Sequence, residues 1–354
     1  MGEWPADGLG KMYQLIDSLP EQLALSADLA GLDKIQTAKV GTKRLILCGM
    51  GGSAIAGDLV QPLLQDGTVS LTVWRDYGLP HWVDADDLVL CCSYSGNTEE
   101  SLSGAVLAGE RGCQRVAITS GGQLAEMAAT DHFPKVSLPG GLPPRASLGY
   151  GLGALLRVLE GLGIVADSSE HIKAAIALLR QANATRQLPM NPGPAPAEDL
   201  EGSISAGALA EQLVGRMPII YTAGHEAHAV GIRLKAQINE NSKMPALVVP
   251  FPELDHNDLV GWCLSPQQKK QFVLLILRGA DDNDRISRRV EVTRELLRSE
   301  FESIHEIRSE GKTPLERVLS LVQYGDYLSC HLARLNEVDP VPVDRITKLK
   351  NALG

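Results

Sequence analysis

Two polar stretches carry residue types that could move a proton. The first, Ile238-Asn239-Glu240-Asn241-Ser242-Lys243, ends a long helical pattern, and Pro245 stops the helix just beyond it. The second, Phe251-Pro252-Glu253-Leu254-Asp255-His256-Asn257-Asp258, comes straight after an apolar run that reads as a buried strand. Glu240 sits among Asn, Ser and Lys residues that would orient a carboxylate. A carboxylate and an imidazole from neighbouring strand–helix junctions can face one pocket. Such a pair suits proton shuttling next to a carbonyl, with a base for protons on carbon and a second group for protons on oxygen. A plainer reading makes Glu240 a solvated helix end and His256 a loop cap, and spacing alone leaves both open.

Two further stretches suit an anion. Leu45-Ile46-Leu47-Cys48 is an apolar run that passes through Gly49-Met50-Gly51-Gly52 into a small-residue helix opened by Ser53. Strand, glycine loop and helix start together present free N–H groups and the positive helix end to a ligand. The loop lacks the Gly-Lys-Ser/Thr of a P-loop and fits the dinucleotide spacing poorly. Leu88-Val89-Leu90-Cys91-Cys92 is a second buried strand, and it runs into Ser93-Tyr94-Ser95-Gly96-Asn97-Thr98-Glu99-Glu100. Ser93, Ser95 and Thr98 place three hydroxyls at a strand's carboxyl end, where open α/β sheets bind ligands. Hydroxyls and amides without a lysine suit the phosphate monoester of a small molecule. Capping by Ser95 or Thr98 would account for one hydroxyl. Farther on, Pro139-Gly140-Gly141-Leu142-Pro143-Pro144-Arg145 is a proline-stiffened loop that holds Arg145 where it could meet a carboxylate, a phosphate or a developing oxyanion; a surface arginine fits the spacing equally well.

The elements that must position these residues alternate as strand and helix. Residues from about Lys11 to Leu32 form an amphipathic helix leading into the first sheet. Strands follow near Leu71–Trp74, Leu88–Cys92, Arg115–Thr119 and Lys135–Leu138, separated by helices over Asn97–Arg111 and Gln123–Ala129. Helices over Ser147–Leu162 and Glu170–Ala184 precede the proline-rich stretch Leu188–Pro196, which reads as an extended linker. The second half repeats the grammar. A helix over Ile204–Val214 precedes a strand at Met217–Ala223, which ends in Gly224, the counterpart of the first anion loop. A helix over Ala227–Asn239, strands at Ala246–Val249 and Gln271–Leu277, helices over Glu291–Arg298 and Leu315–Leu335, and a last helical turn at Ile346–Leu353 follow. The pattern predicts an α/β chain of two doubly wound parallel-sheet domains in tandem with a C-terminal tail. The segments read as a lead-in helix over 1–35, a first domain over 36–165, helix and linker over 166–200, a second domain over 201–335 and a tail over 336–354.

With 354 residues, 44% of them hydrophobic, the chain can bury two cores. Its net charge of −10 argues against nucleic acid or an anionic membrane as a partner. It has no apolar run of bilayer length, and Met1-Gly2-Glu3-Trp4-Pro5 has neither the basic nor the apolar part of a signal peptide. The six cysteines lack metal-type spacing; Cys48, Cys91 and Cys92 lie in strand runs, as in a protein of a reducing cytoplasm. His225 and His228 share a helix start without a third ligand nearby, and Asp281-Asp282-Asn283-Asp284 lacks EF-hand spacing and reads as a cap. Arg285 to Arg298 alternates charges on an exposed helical face. No metal and no cofactor is expected.

Taken in order, Gly-Met-Gly-Gly-Ser, Ser-Tyr-Ser-Gly-Asn-Thr-Glu-Glu, Pro-Pro-Arg, Asn-Glu-Asn-Ser-Lys and Glu-Leu-Asp-His-Asn closely resemble the bifunctional phosphoglucose/phosphomannose isomerases, which are built from two sugar-isomerase (SIS, flavodoxin-like) domains. The resemblance runs from about Lys43 to the final Leu-Lys-x-x-Leu. One departure is Asp255, where the family pattern has Asn; it should alter a loop rather than remove a catalytic group. The resemblance implies that Ser53, Ser93, Ser95 and Thr98 bind a sugar phosphate with backbone N–H groups near Gly52. It implies that Arg145 stabilises an enediolate, that Glu240 moves a proton between C1 and C2, and that His256 and Lys350 assist ring opening and proton transfer at oxygen. It further implies a homodimer in which His256 reaches the site from the other subunit. The activity implied is metal-independent interconversion of glucose 6-phosphate and mannose 6-phosphate with fructose 6-phosphate. The alternatives are a non-catalytic sugar-phosphate-sensing regulator and an isomerase of another phosphosugar, such as a heptose phosphate. No basic helix-turn-helix precedes Gly41, which speaks against the regulator.

Overall fold

Branched and small apolar residues in unbroken runs, such as Leu45-Ile46-Leu47 and Leu274-Leu275-Ile276, cannot alternate between core and solvent, so they form strands covered on both faces. The computed structural model describes residues 6–35, 42, 44–64, 67, 69–186, 204–279 and 282–353. The linker at Leu188–Pro196, Lys43 and Asp281 lie outside the described residues. The elements in order are α1 (Ala6–Asp17), α2 (Leu19–Leu25), β1 (Arg44–Cys48), α3 (Gly51–Val60), β2 (Ser70–Trp74), β3 (Leu88–Cys92), α4 (Glu99–Glu110), β4 (Gln114–Thr119), α5 (Gly122–Thr130), β5 (Lys135–Ser137), α6 (Leu148–Gly161) and α7 (Ser169–Arg186). They continue as α8 (Ala206–Leu213), β6 (Met217–Ala223), α9 (His225–Asn241), β7 (Leu247–Pro250), α10 (Asp258–Gly261), α11 (Pro266–Lys269), β8 (Phe272–Arg278), α12 (Asp284–Leu297), β9 (Ile304–Arg308), α13 (Pro314–Leu335) and α14 (Asp344–Leu353).

The described residues fall into two compact units. One comprises residues 18–178. Its sheet has the order β2-β1-β3-β4-β5 with every pairing parallel, the flavodoxin-like doubly wound order. Its core joins Ile46, Val89, Cys91 and Ala117 to Ala105, Ala108 and Leu124 of the covering helices. The other comprises the described residues up to Asp17 and those from Leu179 on. Its sheet, β7-β6-β8-β9, is likewise all parallel, around Tyr221, Leu274, Ile276 and Val290. Two parallel-sheet α/β units are thus what the strand–helix alternation predicts.

Two expectations change. The single lead-in helix over Lys11–Leu32 is two helices, because Pro20, which has no N–H to donate, starts a new helix rather than extending α1. α1 packs on α13: the Tyr13 hydroxyl lies 2.6 Å from His331 Nδ1, and Tyr327 donates to Asp17. Strand β9 escapes the sequence pattern because Ile304-His305-Glu306-Ile307-Arg308 mixes charges into an edge strand. Helix α12 extends the Glu291–Arg298 span back to Asp284, as the charged helical face from Arg285 and the cap read at Asp281–Asp284 imply, and the Asn283 side chain accepts from the N–H of Arg285.

Candidate active site

The order β2-β1-β3 reverses direction between β1 and β3, and ligands of such sheets bind outside the carboxyl ends of those two strands. Cys48 pairs with Cys91 in register, so the loop after β1 and the loop after β3 leave the sheet side by side. α3 begins at Gly51 with Met50 as an extended N-cap, which places Ser53 inside the first turn and not at the cap. Ser53 Oγ accepts the N–H of Tyr94 (3.1 Å) from the second loop. That bond uses one of the two lone pairs of the Ser53 hydroxyl and leaves its O–H able to donate to an anion.

In the second loop the three hydroxyls do different work. Ser93 is buried, 1% exposed; its Oγ accepts the N–H groups of Gly96 (3.0 Å) and Thr98 (3.4 Å) and donates to Thr98 Oγ1 (2.9 Å). Ser93 therefore shapes the loop. Thr98 is the N-cap of α4 yet makes no side-chain cap bond, so capping does not explain its hydroxyl. Ser95 is exposed and accepts the N–H of Asn97 (3.2 Å). Gly96 has φ +72°, and a Cβ there would overlap the carbonyl of Gly121, so this loop crosses the one after β4 where only glycine fits.

Arg145 belongs to the same unit. It lies in a 3-10 turn, Pro144–Ala146, and is 6% exposed, so it is not the surface arginine of the alternative reading. The turn abuts Gly52: a Cβ on Gly52 would come within 2.8 Å of the Pro144 carbonyl oxygen. Gln22 of α2 fixes the far side, donating to the carbonyl of Ala146 (2.8 Å) and accepting from Gly149 N–H (3.0 Å), while Ser147 Oγ donates to the Pro144 carbonyl (2.9 Å). Hydrogen bonds thus join the loops of Ser53, Ser93 and Thr98, and the Arg145 turn lies against Gly52 beside them. Gln22 and Tyr94, which carry much of this arrangement, were not legible as site residues; an amide on an apolar helix and an aromatic between serines read as packing.

Glu240, His256 and Lys350 belong to the other unit. Glu240 is half-buried in the last turn of α9. Its neighbours reach to α13 and to the tail. Asn241 donates to Ser329 Oγ (3.0 Å), Ser242 Oγ to the Ser329 carbonyl (2.7 Å), and Lys243 Nζ to the carbonyls of Glu240 and Pro342. These bonds hold the backbone of the turn that carries Glu240. One helix face, Arg233, Gln237 and Asn241, runs along α13: Arg233 and Gln237 donate to Asp326 at 2.7 and 2.8 Å. Residues four apart share a face, so this ladder sets the rotation of α9 and with it the place of Glu240. The Lys243–Pro342 bond ties the tail to the same turn, two residues before α14 begins. Lys350 lies on α14, and its side chain is exposed. His256 is exposed at the end of a 3-10 turn after β7. Asp255, the departure from the family pattern, accepts from Arg289 Nη1 (2.6 Å) and Thr293 Oγ1 (3.1 Å), pinning that turn to α12.

Gly224 does occupy the switch point of the second sheet, between β6 and β8, but the protein's own carboxylates crowd there. Asp282 Oδ1 lies 3.4 Å from where a Cβ of either Gly224 or Gly279 would stand, and it pairs with Arg278 (2.7 Å). Burial pushes the Asp282 carboxyl up, while Arg278 beside it pulls it down. Glu226, in the first turn of α9, holds Arg317 through two bonds of 2.8 and 3.0 Å. His228 Nδ1 meets Thr222 Oγ1 (3.1 Å). Among the described residues, no group of three His, Cys, Asp or Glu could hold a metal ion. No helix among them is long and apolar enough to cross a membrane. Cys48, Cys91 and Cys92 are buried, and burial drives all three thiols up, Cys48 to about 12.

Comparison with known proteins agrees with this layout. Residues 40–133 match the SIS domain family, and residues 203–353 match the family described as bacterial phospho-glucose isomerase C-terminal SIS domain. A bifunctional phosphoglucose/phosphomannose isomerase of Caldicellulosiruptor bescii is 35% identical over 344 residues, 97% of this chain and 99% of that one. The enzyme of the same description from Aquifex aeolicus is 36% identical over 88% of this chain and 90% of its own. Among solved structures, glucosamine-6-phosphate deaminase of Thermotoga maritima superposes with a TM-score of 0.63 over 93% of this chain and 96% of its own, at 13% identity, a likeness of fold. With a relative matched along nearly its entire length, two parallel-sheet units and the SIS-type loops in place, the chain belongs to the bifunctional phosphoglucose/phosphomannose isomerases.

Proposed function

We propose that this chain interconverts fructose 6-phosphate with glucose 6-phosphate and mannose 6-phosphate through a cis-enediol. Ser53, Ser95, Thr98 and the N–H groups at Gly52 hold the phosphate, with Ser93 shaping their loop. Glu240 takes the proton from one carbon and returns it to the next, Arg145 holds the enediolate charge, and His256 and Lys350 serve ring opening and proton transfer at oxygen. Proton transfer and charge stabilisation are both supplied by side chains, so no step is assigned to a metal. The observation that carries this reading is the framework at the first switch point, where hydrogen-bonded hydroxyls lie against a buried arginine turn whose preceding loop Tyr94 bonds. Residues 36–165 and 201–335 are read as the two sugar-isomerase domains and 336–354 as the tail that brings Lys350. A cytoplasmic homodimer, with His256 acting across the subunit interface, and a place in hexose phosphate interconversion complete the reading.

The test is to incubate the purified protein with fructose 6-phosphate and identify the products. Glucose 6-phosphate and mannose 6-phosphate are expected. Binding without turnover would favour a sensor, and turnover of a heptose phosphate alone would favour the other phosphosugar reading.

A further inference from the structure

Tyr94 bonds to every loop around the anion cradle. Its N–H donates to Ser53 Oγ (3.1 Å). Its carbonyl accepts from Ser120 N–H (3.0 Å) and Ser120 Oγ (2.6 Å). Its phenol donates to the carbonyl of Pro139 (2.7 Å) and accepts the N–H of Leu142 (3.1 Å). The residue is 8% exposed. The phenol thus closes residues 139–142 around itself. That loop has little else to fix it from within: Pro139 and Pro143 lack an N–H, Gly140 and Gly141 add freedom, and Gly141 sits at φ +87°. Beyond Leu142, by contrast, two prolines with fixed φ lead directly to Arg145, so a shift at Leu142 passes to Arg145 with little slack.

We propose that Tyr94 is a positioning residue for the enediolate step, its backbone N–H orienting Ser53 and its hydroxyl setting the position of Arg145 relative to Ser53. This rests on the roles proposed above for Ser53 and Arg145. Tyr94 touches no reacting atom in this account; it fixes the distance between the group that holds the phosphate and the group that holds the developing charge.

The experiment compares wild type, Tyr94→Phe and Arg145→Gln with fructose 6-phosphate. It also measures binding of two inert probes, a hexitol 6-phosphate and a phosphorylated aldonate whose carboxylate imitates the enediolate charge. Phe keeps the ring and loses only the hydroxyl. A group misplaced by about 1 Å can cost about 10²-fold, so loss of one of several anchors should lower kcat roughly 10-fold with KM within about 2-fold. Aldonate affinity should fall roughly 10-fold and hexitol phosphate affinity by less than about 2-fold, a split that general loosening of the fold would not produce. Normal kcat and aldonate affinity in Tyr94→Phe, with Arg145→Gln impaired, would overturn this inference and leave the isomerase reading intact. So would equal loss for both probes. An inactive wild-type chain would overturn the isomerase reading and this inference with it. Hydrogen exchange on the wild-type chain gives a measure independent of any variant's folding. The Leu142 amide should be protected, and slowed further by the aldonate than by the hexitol phosphate; an unprotected Leu142 amide would overturn the proposal.

Discussion

Gly52→Ala should separate the geometry of the site from the stability of the fold. A Cβ at Gly52 would meet the Pro144 carbonyl oxygen at 2.8 Å and its carbon at 3.1 Å, whereas ordinary contact begins at 3.4 Å. The turn carrying Arg145 must retreat by roughly the difference, 3.4 minus 2.8, or about 0.6 Å. At about 10²-fold per ångström of misplacement, kcat should fall on the order of 10-fold. The N–H of residue 52 survives the change, so phosphate donors are not lost. Overpacking costs about 1–3 kcal/mol, and replacing a helical glycine by alanine returns about 0.5–1 kcal/mol, so the net destabilisation should be about 1–2 kcal/mol. Gly51→Ala is the control. A Cβ there has nothing within 4 Å, but φ is +48°, which costs about 1–2 kcal/mol of backbone strain without pressing on Pro144. The two variants should therefore melt alike in urea and differ in steady-state isomerisation. The reasoning fails if Gly52→Ala turns over like wild type, or if Gly51→Ala loses as much activity.

Glu240→Gln keeps the shape and removes the base; isomerisation should drop at least about 10²-fold, and exchange of the C2 hydrogen with deuterated water should drop with it. Near-normal exchange would place the base elsewhere. Asp326→Ala leaves Arg233 buried without the carboxylate that also holds Gln237, so unfolding free energy should fall by about 3–5 kcal/mol in urea melts; a loss under about 1 kcal/mol would refute the ladder's role. His331 concerns pH. Burial, and next to it Arg334, hold the imidazole down to about 3, and it meets the Tyr13 hydroxyl at Nδ1. The unfolded chain takes up this proton first, near pH 6.5, so the stability tied to a neutral His331 is complete above that pH and is lost as the pH falls toward 3. At pH 4.5 the loss should be about 2–3 kcal/mol relative to pH 7. His331→Gln should flatten the pH dependence by that amount, and parallel profiles for the two chains would contradict it.

Much of this layout could be read from local pattern. Unbroken apolar runs announced buried parallel strands, because a residue run without polar alternation can survive only where both sheet faces are covered. Glycines and hydroxyls directly after β1 and β3 marked the switch point, since both are properties of a few adjacent residues. Prolines around Arg145 announced a stiff turn for the same reason. What local pattern could not give is who faces whom. That Asn241 and Ser242 bond to α13 depends on Ser329, 88 and 87 residues away. That Ser93 shapes a loop, and that Tyr94 reaches residues 139 and 142, follows from burial and from chains crossing in space. The two glycine loops look alike in sequence, yet Ser53 stands at one and Asp282 and Glu226 crowd the other. Backbone preference is set by a residue and its neighbours; the partner of a side chain is set by packing, which brings distant residues together only once the whole unit has folded.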